Sequence, residues 1–246
     1  AHYIAWPDTD WVSVSKGFIE RLGLEWNPLT TQIESHDGLV ALFHQMSHVG
    51  TIAHNLCTDI WTYISLGYLR QIPVKGATGS STMPHKVNPI RFENAEANLE
   101  IAGGLLQTLA STLGTSRLQR DLTDSSTQRN IGVAMGHQMV AWANIARGLG
   151  QVDITPDVMA ADLESTYEVL AEAIQTVIRA EIAAGTSSIS DPYDVVKQLT
   201  RGASVTAQSL KDFVSGLDIS DTAKARLLEL TPATYTGLAS RLVDEL

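Results

Sequence analysis

Cysteine is nearly missing from this chain. One residue, Cys57, stands in 246, so no disulfide can form within the chain, and the composition fits a reducing, cytoplasmic setting. Cys57 lies in an apolar helical stretch, where a free thiol behaves as a small core residue. Positive charge is also scarce: 17 Lys and Arg against 27 Asp and Glu give a net charge of -10. That balance disfavours nucleic acid and anionic membrane surfaces as partners. It leaves an anionic small molecule open, because a few arginines in one cleft outweigh the global field locally. No apolar run reaches membrane-spanning length, and no secretory leader is legible. Strand-like alternation, internal repeats and low-complexity tracts are lacking too. With 44% hydrophobic and 18% charged residues, the chain has the composition of a folded, not a disordered, protein. It opens on "AHYIAWPDTDW", without Met and in mid-pattern, and reads as a fragment.

What remains is helical. Asp8 or Thr9 can cap a first helix over about 10–22, ended by Gly23 and "WNPLTTQ". From about Ser35 to Leu69 there is no proline, and Leu39, Leu42, Phe43, Met46, Val49, Ile52, Leu56, Ile60 and Ile64 recur at helical spacing. This predicts one helix of about 35 residues. A loop over 71–88 follows. Pro89 suits the first turn of a second long helix, to about Leu113. "GTSRLQRDLTDSSTQRN" is a polar connector, and a third long helix runs from about Ser126 to Leu149. Such stripes pack as a bundle, and helices this long expose enough apolar surface to predict self-association. Shorter helices follow, near 157–163, 166–184, 191–201, 204–216, 220–230 and 237–245. The expected architecture is all-α: a long-helix bundle over 1–151 and a smaller helical domain over 152–246.

The loop holds "GSSTMPHKVNP", Gly79 to Pro89. Glycine gives backbone freedom, Ser80 and Ser81 offer hydroxyls, Lys86 is a fixed positive charge, and Asn88 has an amide to donate. Removing a proton beside a carboxylate needs a base, together with donors for the dianion that forms. A serine serves as that base only where cations and N–H groups stabilise its alkoxide. From the residues alone, a plain connector and a catalytic loop both stay open. In the second connector, Arg120, Ser125 and Arg129 stand near a helix start. They could hold a phosphate or be solvated residues around a capped helix.

The loop string resembles the signature of the fumarase/aspartase superfamily, close to Gly-Ser-Ser-x-Met-Pro-x-Lys-x-Asn. Its continuation "MPHKVNPIRFENAEANL" resembles the adenylosuccinate lyase family, as do "WNPLTTQIESHD", "SRLQRDLTDSSTQRN", "YEVLAEAIQTVIR", "LTRG" and "LTPATYTG". The resemblance covers essentially the whole chain. It implies β-elimination of fumarate from adenylosuccinate, giving AMP, and from the succinyl-carboxamide ribotide of purine synthesis. It implies Ser80 as general base. Lys86 and Asn88 would sit on the succinyl carboxylates and stabilise the aci-carboxylate. Ser81 and His85 would contact substrate or hold the loop. Arg120, Ser125 and Arg129 match positions around the nucleotide phosphate and ribose, and Gln32 and Asn94 match further polar substrate contacts. It implies no cofactor, a nucleotide substrate, and a homotetramer whose active sites are shared between subunits.

The family's acid is a histidine in a Thr-His-Gly-Gln-Pro stretch, and that string does not occur in these residues. The chain is therefore expected to be incomplete as a catalyst by itself. His44, His48 and His54 share helical spacing, but no Cys or HExxH glutamate accompanies them, and no metal site is expected. Trp11, Trp26, Trp61 and Trp142 read as core or helix-contact residues. Two rivals stand beside the main reading. One is another lyase of the superfamily, of argininosuccinate lyase, fumarase or aspartase type; the other is a non-catalytic helical bundle.

Overall fold

The computed structural model describes residues 1–72, 88–200 and 205–246. It is a helical protein that divides into two compact units, Ala1–Asp153 and Ile154–Leu246. In the first unit, α1 (His2–Ala5) and α2 (Trp11–Arg21) precede three longer helices. These are α3 (Asp37–Ser65), α4 (Ile90–Leu113) and α6 (Ile131–Leu149), with the short α5 (Thr123–Gln128) before the last. Helix α4 packs closely on both α3 and α6. Their shared core forms two groups. Ala53, Cys57, Ile60, Phe92, Ala95, Leu99, Ala141 and Ile145 make one; Phe43, Leu106, Leu109, Ala110, Leu113 and Ala134 make the other.

Helix α3 is 29 residues long, shorter than its apolar pattern predicts. The cause lies at Gly67, which takes a left-handed φ of 77°. There the Tyr68 N–H reaches back to the Tyr63 carbonyl and the Gly67 N–H to that of Ile64. This pair of bonds closes a helix on a glycine. The chain then forms β1 (Leu69–Gln71), which pairs with β2 (Val152–Ile154). Three-residue strands are too short to leave an alternating pattern, so this small sheet was not anticipated from the sequence. Arg70 and Asp153 tie it across with an ion pair at 2.6 Å.

The expected third helix is in fact two. Arg129 and Asn130 separate α5 from α6, and the Asn130 amide donates to the Ser126 and Thr127 carbonyls at the end of α5. A local side-chain bond of this kind competes with helix continuation.

Two of the tryptophans expected in the core or at helix contacts are partly exposed, and Trp61 does make a contact from α3 to α4. Trp61 and Trp142 are 42% and 40% exposed. Each indole N–H is nevertheless satisfied, by Glu93 Oε1 at 3.1 Å and Gln138 Oε1 at 2.9 Å. Helix α3 leaves Leu42, Val49, Leu56 and Tyr63 exposed at seven-residue intervals, with Ile52 beside them.

The second unit holds α7 (Pro156–Glu164), α8 (Ala171–Ala183), α9 (Pro192–Thr200), α10 (Ala207–Gly216), α11 (Asp221–Leu228) and α12 (Ala239–Asp244). Its core is Leu170, Ile174, Ile178, Leu210, Val214 and Leu227 with their neighbours. Among the described residues, no helix is long and apolar enough to cross a membrane.

Candidate active site

Ser80, Ser81, His85 and Lys86 lie outside the described residues. The remaining candidates fall into two groups, one at each end of α4.

The first group is at the N-terminal end. Asn88 is exposed, just before Pro89, which caps α4. Asn94 is exposed on the second turn. Its Oδ1 accepts from Asn144 Nδ2 at 2.8 Å and from Asn98 Nδ2 at 3.3 Å. Arg91 Nη1 donates to Asn144 Oδ1 at 3.0 Å, and His137 Nδ1 meets Asn98 Oδ1 at 2.7 Å. Helices α4 and α6 are thus joined by a run of amides anchored on a guanidinium and an imidazole. Of these five residues, the sequence pointed only to Asn94. The i, i+4 spacing of Asn94 and Asn98 was the one available signal.

The second group gathers where α4 ends. Gln32 is exposed in the segment before α3, and its backbone N–H bonds the Gln119 carbonyl at 3.2 Å. His36 takes a left-handed φ of 63° at the start of α3, and its Nε2 meets Gln128 Nε2 of α5 at 2.9 Å. These links hold the segment before α3 against the connector that carries the arginines. Arg120 precedes α5 and pairs with Asp124 at 3.3 Å. Asp124 is buried and also accepts from the Ser125 N–H at 2.6 Å. Arg120 Nε is buried with no hydrogen-bond partner among the described residues. Ser125 lies in the first turn of α5, where its hydroxyl donates to the Leu122 carbonyl at 3.2 Å. Arg129 is exposed at the C-terminal end of α5. It also stands just before Asn130, the N-cap of the 19-residue α6, so it lies near a helix start, while α5 itself has only six residues. Any anion held here would rest chiefly on the guanidiniums, since α5 is too short to add a useful dipole.

The connector carries a second ion pair. Arg117 Nε donates to Asp121 at 2.7 Å, and that bond, with the Thr123 N–H, holds the Asp121 carboxyl down at about 2. A cavity of about 200 Å³ beside it is lined by Glu34, Asp37, Asp121 and Asp124 together with Thr, Ser and His36. Four carboxylates make it unsuited to an anion. Asp121 and Asp124 were not anticipated, although each stands four residues after an arginine, a spacing that favours pairing on a helix.

Asn94 lies nineteen residues before Leu113, where α4 ends. At 1.5 Å per residue the two groups are about 28 Å apart along the helix. Within one chain they do not meet.

The remaining histidines make ordinary contacts. His44 and His48 are exposed, and His54 bonds Glu100 at 3.1 Å across α3 and α4. Among the described residues there is no group of three or more His, Cys, Asp or Glu that could hold a metal ion.

Two family models match the chain. One, described as adenylosuccinate lyase C-terminal, covers residues 116–236, and one described as lyase covers residues 9–102. Among curated relatives, the adenylosuccinate lyase of Escherichia coli strain K12 is 45% identical over 246 residues, which is 100% of this chain and 53% of the relative. That of Haemophilus influenzae is 44% identical over the same shares. That of Legionella pneumophila strain Corby is 45% identical over 99% of this chain and 52% of the relative. The chain spans about half the length of the curated relatives it matches. A solved structure of 3-carboxy-cis,cis-muconate lactonizing enzyme from Pseudomonas putida shares the fold, with a TM-score of 0.65 and 22% identity. It covers 94% of this chain and 52% of that one. With two family models and several relatives agreeing along its whole length, this chain belongs to the adenylosuccinate lyase family.

Proposed function

We propose that this chain supplies the base loop and the phosphate-side residues of an adenylosuccinate lyase, which eliminates fumarate from adenylosuccinate and from the succinyl-carboxamide ribotide. In this reading Ser80 takes the proton from the succinyl carbon beside the carboxylate. Electrons move into that carboxylate to give an aci-carboxylate, which Lys86 and Asn88 stabilise. Collapse of the intermediate forms the fumarate double bond and breaks the carbon–nitrogen bond. An acid then protonates the leaving nitrogen of the purine or carboxamide. None of the seven histidines of the chain stands in the family's acid context, so the reading takes that acid from outside these residues. Ser81 and His85 contact substrate or support the loop; Gln32, Asn94, Arg120, Ser125 and Arg129 contact the nucleotide. The reaction calls for no cofactor, and a cytoplasmic setting suits it.

One observation carries the assembly part of the reading. The two groups lie about 28 Å apart along α4, too far for one nucleotide to touch both in the same chain. A second copy running the other way would bring the start of its α4 to the end of this one. The seven-residue apolar stripe on α3 is the kind of surface on which helices associate. This arrangement supports sites shared between subunits, as the homotetramer of this reading requires. The superfamily rivals are not favoured, because the relatives that match the whole chain at 44–45% identity are adenylosuccinate lyases.

The test uses the full-length gene product and follows adenylosuccinate loss by absorbance. Wild type turns over, and Ser80→Ala slows turnover by roughly 100-fold or more, the usual loss for a missing general base. A Ser80→Ala enzyme at near-normal rate removes the base assignment. Wild-type enzyme that leaves adenylosuccinate intact removes the substrate.

A further inference from the structure

The amide run at the start of α4 has a fixed polarity. Arg91 can only donate, so Asn144 must present Oδ1 to it. Asn144 Nδ2 is then the donor, and its two hydrogens go to the Val140 carbonyl at 3.0 Å and to Asn94 Oδ1 at 2.8 Å. From the other side, Asn98 Nδ2 donates to the Asn94 carbonyl at 2.8 Å and to Asn94 Oδ1 at 3.3 Å. That leaves Asn98 Oδ1 to accept from His137, whose Nδ1 carries the hydrogen. Both arms therefore deliver donors to the same atom. Asn94 Oδ1 has two donors on it, and the Asn94 –NH2 meets no acceptor among the described residues, on a side chain open to solvent.

We propose that Asn144 is a positioning residue: it holds the Asn94 amide with its –NH2 turned outward, so that Asn94 serves substrate as a hydrogen-bond donor to an anionic or carbonyl oxygen. This rests on the reading that Asn94 contacts the nucleotide substrate. Without the Arg91–Asn144 arm only the longer 3.3 Å bond from Asn98 would oppose a turn of the amide, and Asn94 would more often offer an acceptor where a donor is needed. Asn144 itself touches Asn94 and not the ligand, so its effect travels through one rotatable amide.

The experiment is a double-mutant cycle in the full-length gene product, read both as kcat/KM for adenylosuccinate and as thermal midpoint without ligand. Asn94→Ala lowers kcat/KM by roughly ten- to a hundred-fold, the usual loss for a hydrogen bond to a charged group. Asn144→Ala lowers it less, and the double variant falls no further than Asn94→Ala. Asn144→Asp is worse than Asn144→Ala. Its carboxylate still accepts from Arg91 but offers Asn94 only oxygens, and so it draws the –NH2 inward. Additive losses in the cycle, or an Asn144→Asp enzyme as good as Asn144→Ala, overturn the proposal. In the ligand-free cycle the two substitutions are non-additive by about 2 °C; strict additivity there shows that the amide bond itself is wrong. Failure of wild type to consume adenylosuccinate is a separate outcome, which overturns the substrate reading, while the ligand-free cycle still decides whether Asn144 orients Asn94.

Discussion

Cys57 and Gly148 show how tightly single residues are held in the first unit. The Cys57 side chain is fully buried where α3 faces α4 and α6. Burial, reinforced by the nearby Glu96 carboxylate, pushes its thiol from 9.0 up to about 11. The folded state thus keeps the thiol neutral where the unfolded chain ionises it. Stability from this residue is complete below about pH 9 and drains away as pH rises toward 11, because the unfolded state loses its proton first. Urea titrations between those values should show a loss of about 1 to 3 kcal/mol beyond that of Cys57→Ala. Equal slopes for the two proteins would show that the thiol ionises freely in the fold. Gly148 has a different constraint. A Cβ there would lie 2.8–3.1 Å from three ring atoms of Phe92, itself 1% exposed. Gly148→Ala should therefore cost about 1–3 kcal/mol, as overpacking does. Adding Phe92→Leu to that variant should return part of the loss in the same denaturation assay, since it removes the atoms that clash.

At the scale of elements, the helices were legible, as were the ends of α4 at Leu113 and α6 at Leu149, but not the end of α3 or the start of α6. Apolar residues at helical spacing placed α3, and capping residues, prolines and glycines placed α2, α4 and the second-unit helices. What stopped them was local chemistry that periodicity does not encode. The apolar run of α3 continues past Ser65, but Gly67 turns the chain into β1. The split between α5 and α6 depends on one asparagine amide. The candidate site shows the same limit. The motifs picked out Asn94 and Arg120 but gave no role to their supports: Asp124 had only its i, i+4 spacing from Arg120 as a signal, and Asn144 lies 50 residues from the Asn94 it reaches. Caps are easier to test. Thr206 begins α10 with a reciprocal bond to Ser209, so Thr206→Ala should lower stability by about 1 kcal/mol in urea. Acid should strike the second unit at two carboxylates. The Ser220 N–H, with help from Thr186, holds the Glu181 carboxyl below its ordinary value, and the Ser188 hydroxyl and N–H do the same for Asp218. Groups depressed in the fold stabilise it above their unfolded values and lose that contribution as pH falls. Stability of the second unit should therefore decline below about pH 4.5. Glu181→Gln should be less acid-sensitive than wild type by circular dichroism, and an unchanged acid midpoint would rule the Ser220 contact out as the cause.

For the molecule as a whole, the distance along α4 matters more than any residue on it. The base loop enters α4 at Pro89, and the arginine connector leaves it after Leu113, so a helix of 24 residues separates two groups assigned to one substrate. If each site takes its base loop from one subunit and its arginines from another, two dead subunits can repair each other. Ser80→Ala disables the first contribution. Arg129→Gln disables the second without disturbing the fold, because Arg129 is exposed at the end of α5. Each full-length variant alone should be inactive toward adenylosuccinate. Mixed by co-expression at equal levels, they should regain activity toward about a quarter of wild type, the share of sites that draw both intact segments when subunits assort at random. Recovery requires mixed assemblies, so it should vanish when the two variants are purified apart and combined without subunit exchange. If co-expression restores nothing while mixed assemblies are seen by mass spectrometry, both groups act within one chain, and α4 would have to be crossed in some other way than by a second subunit.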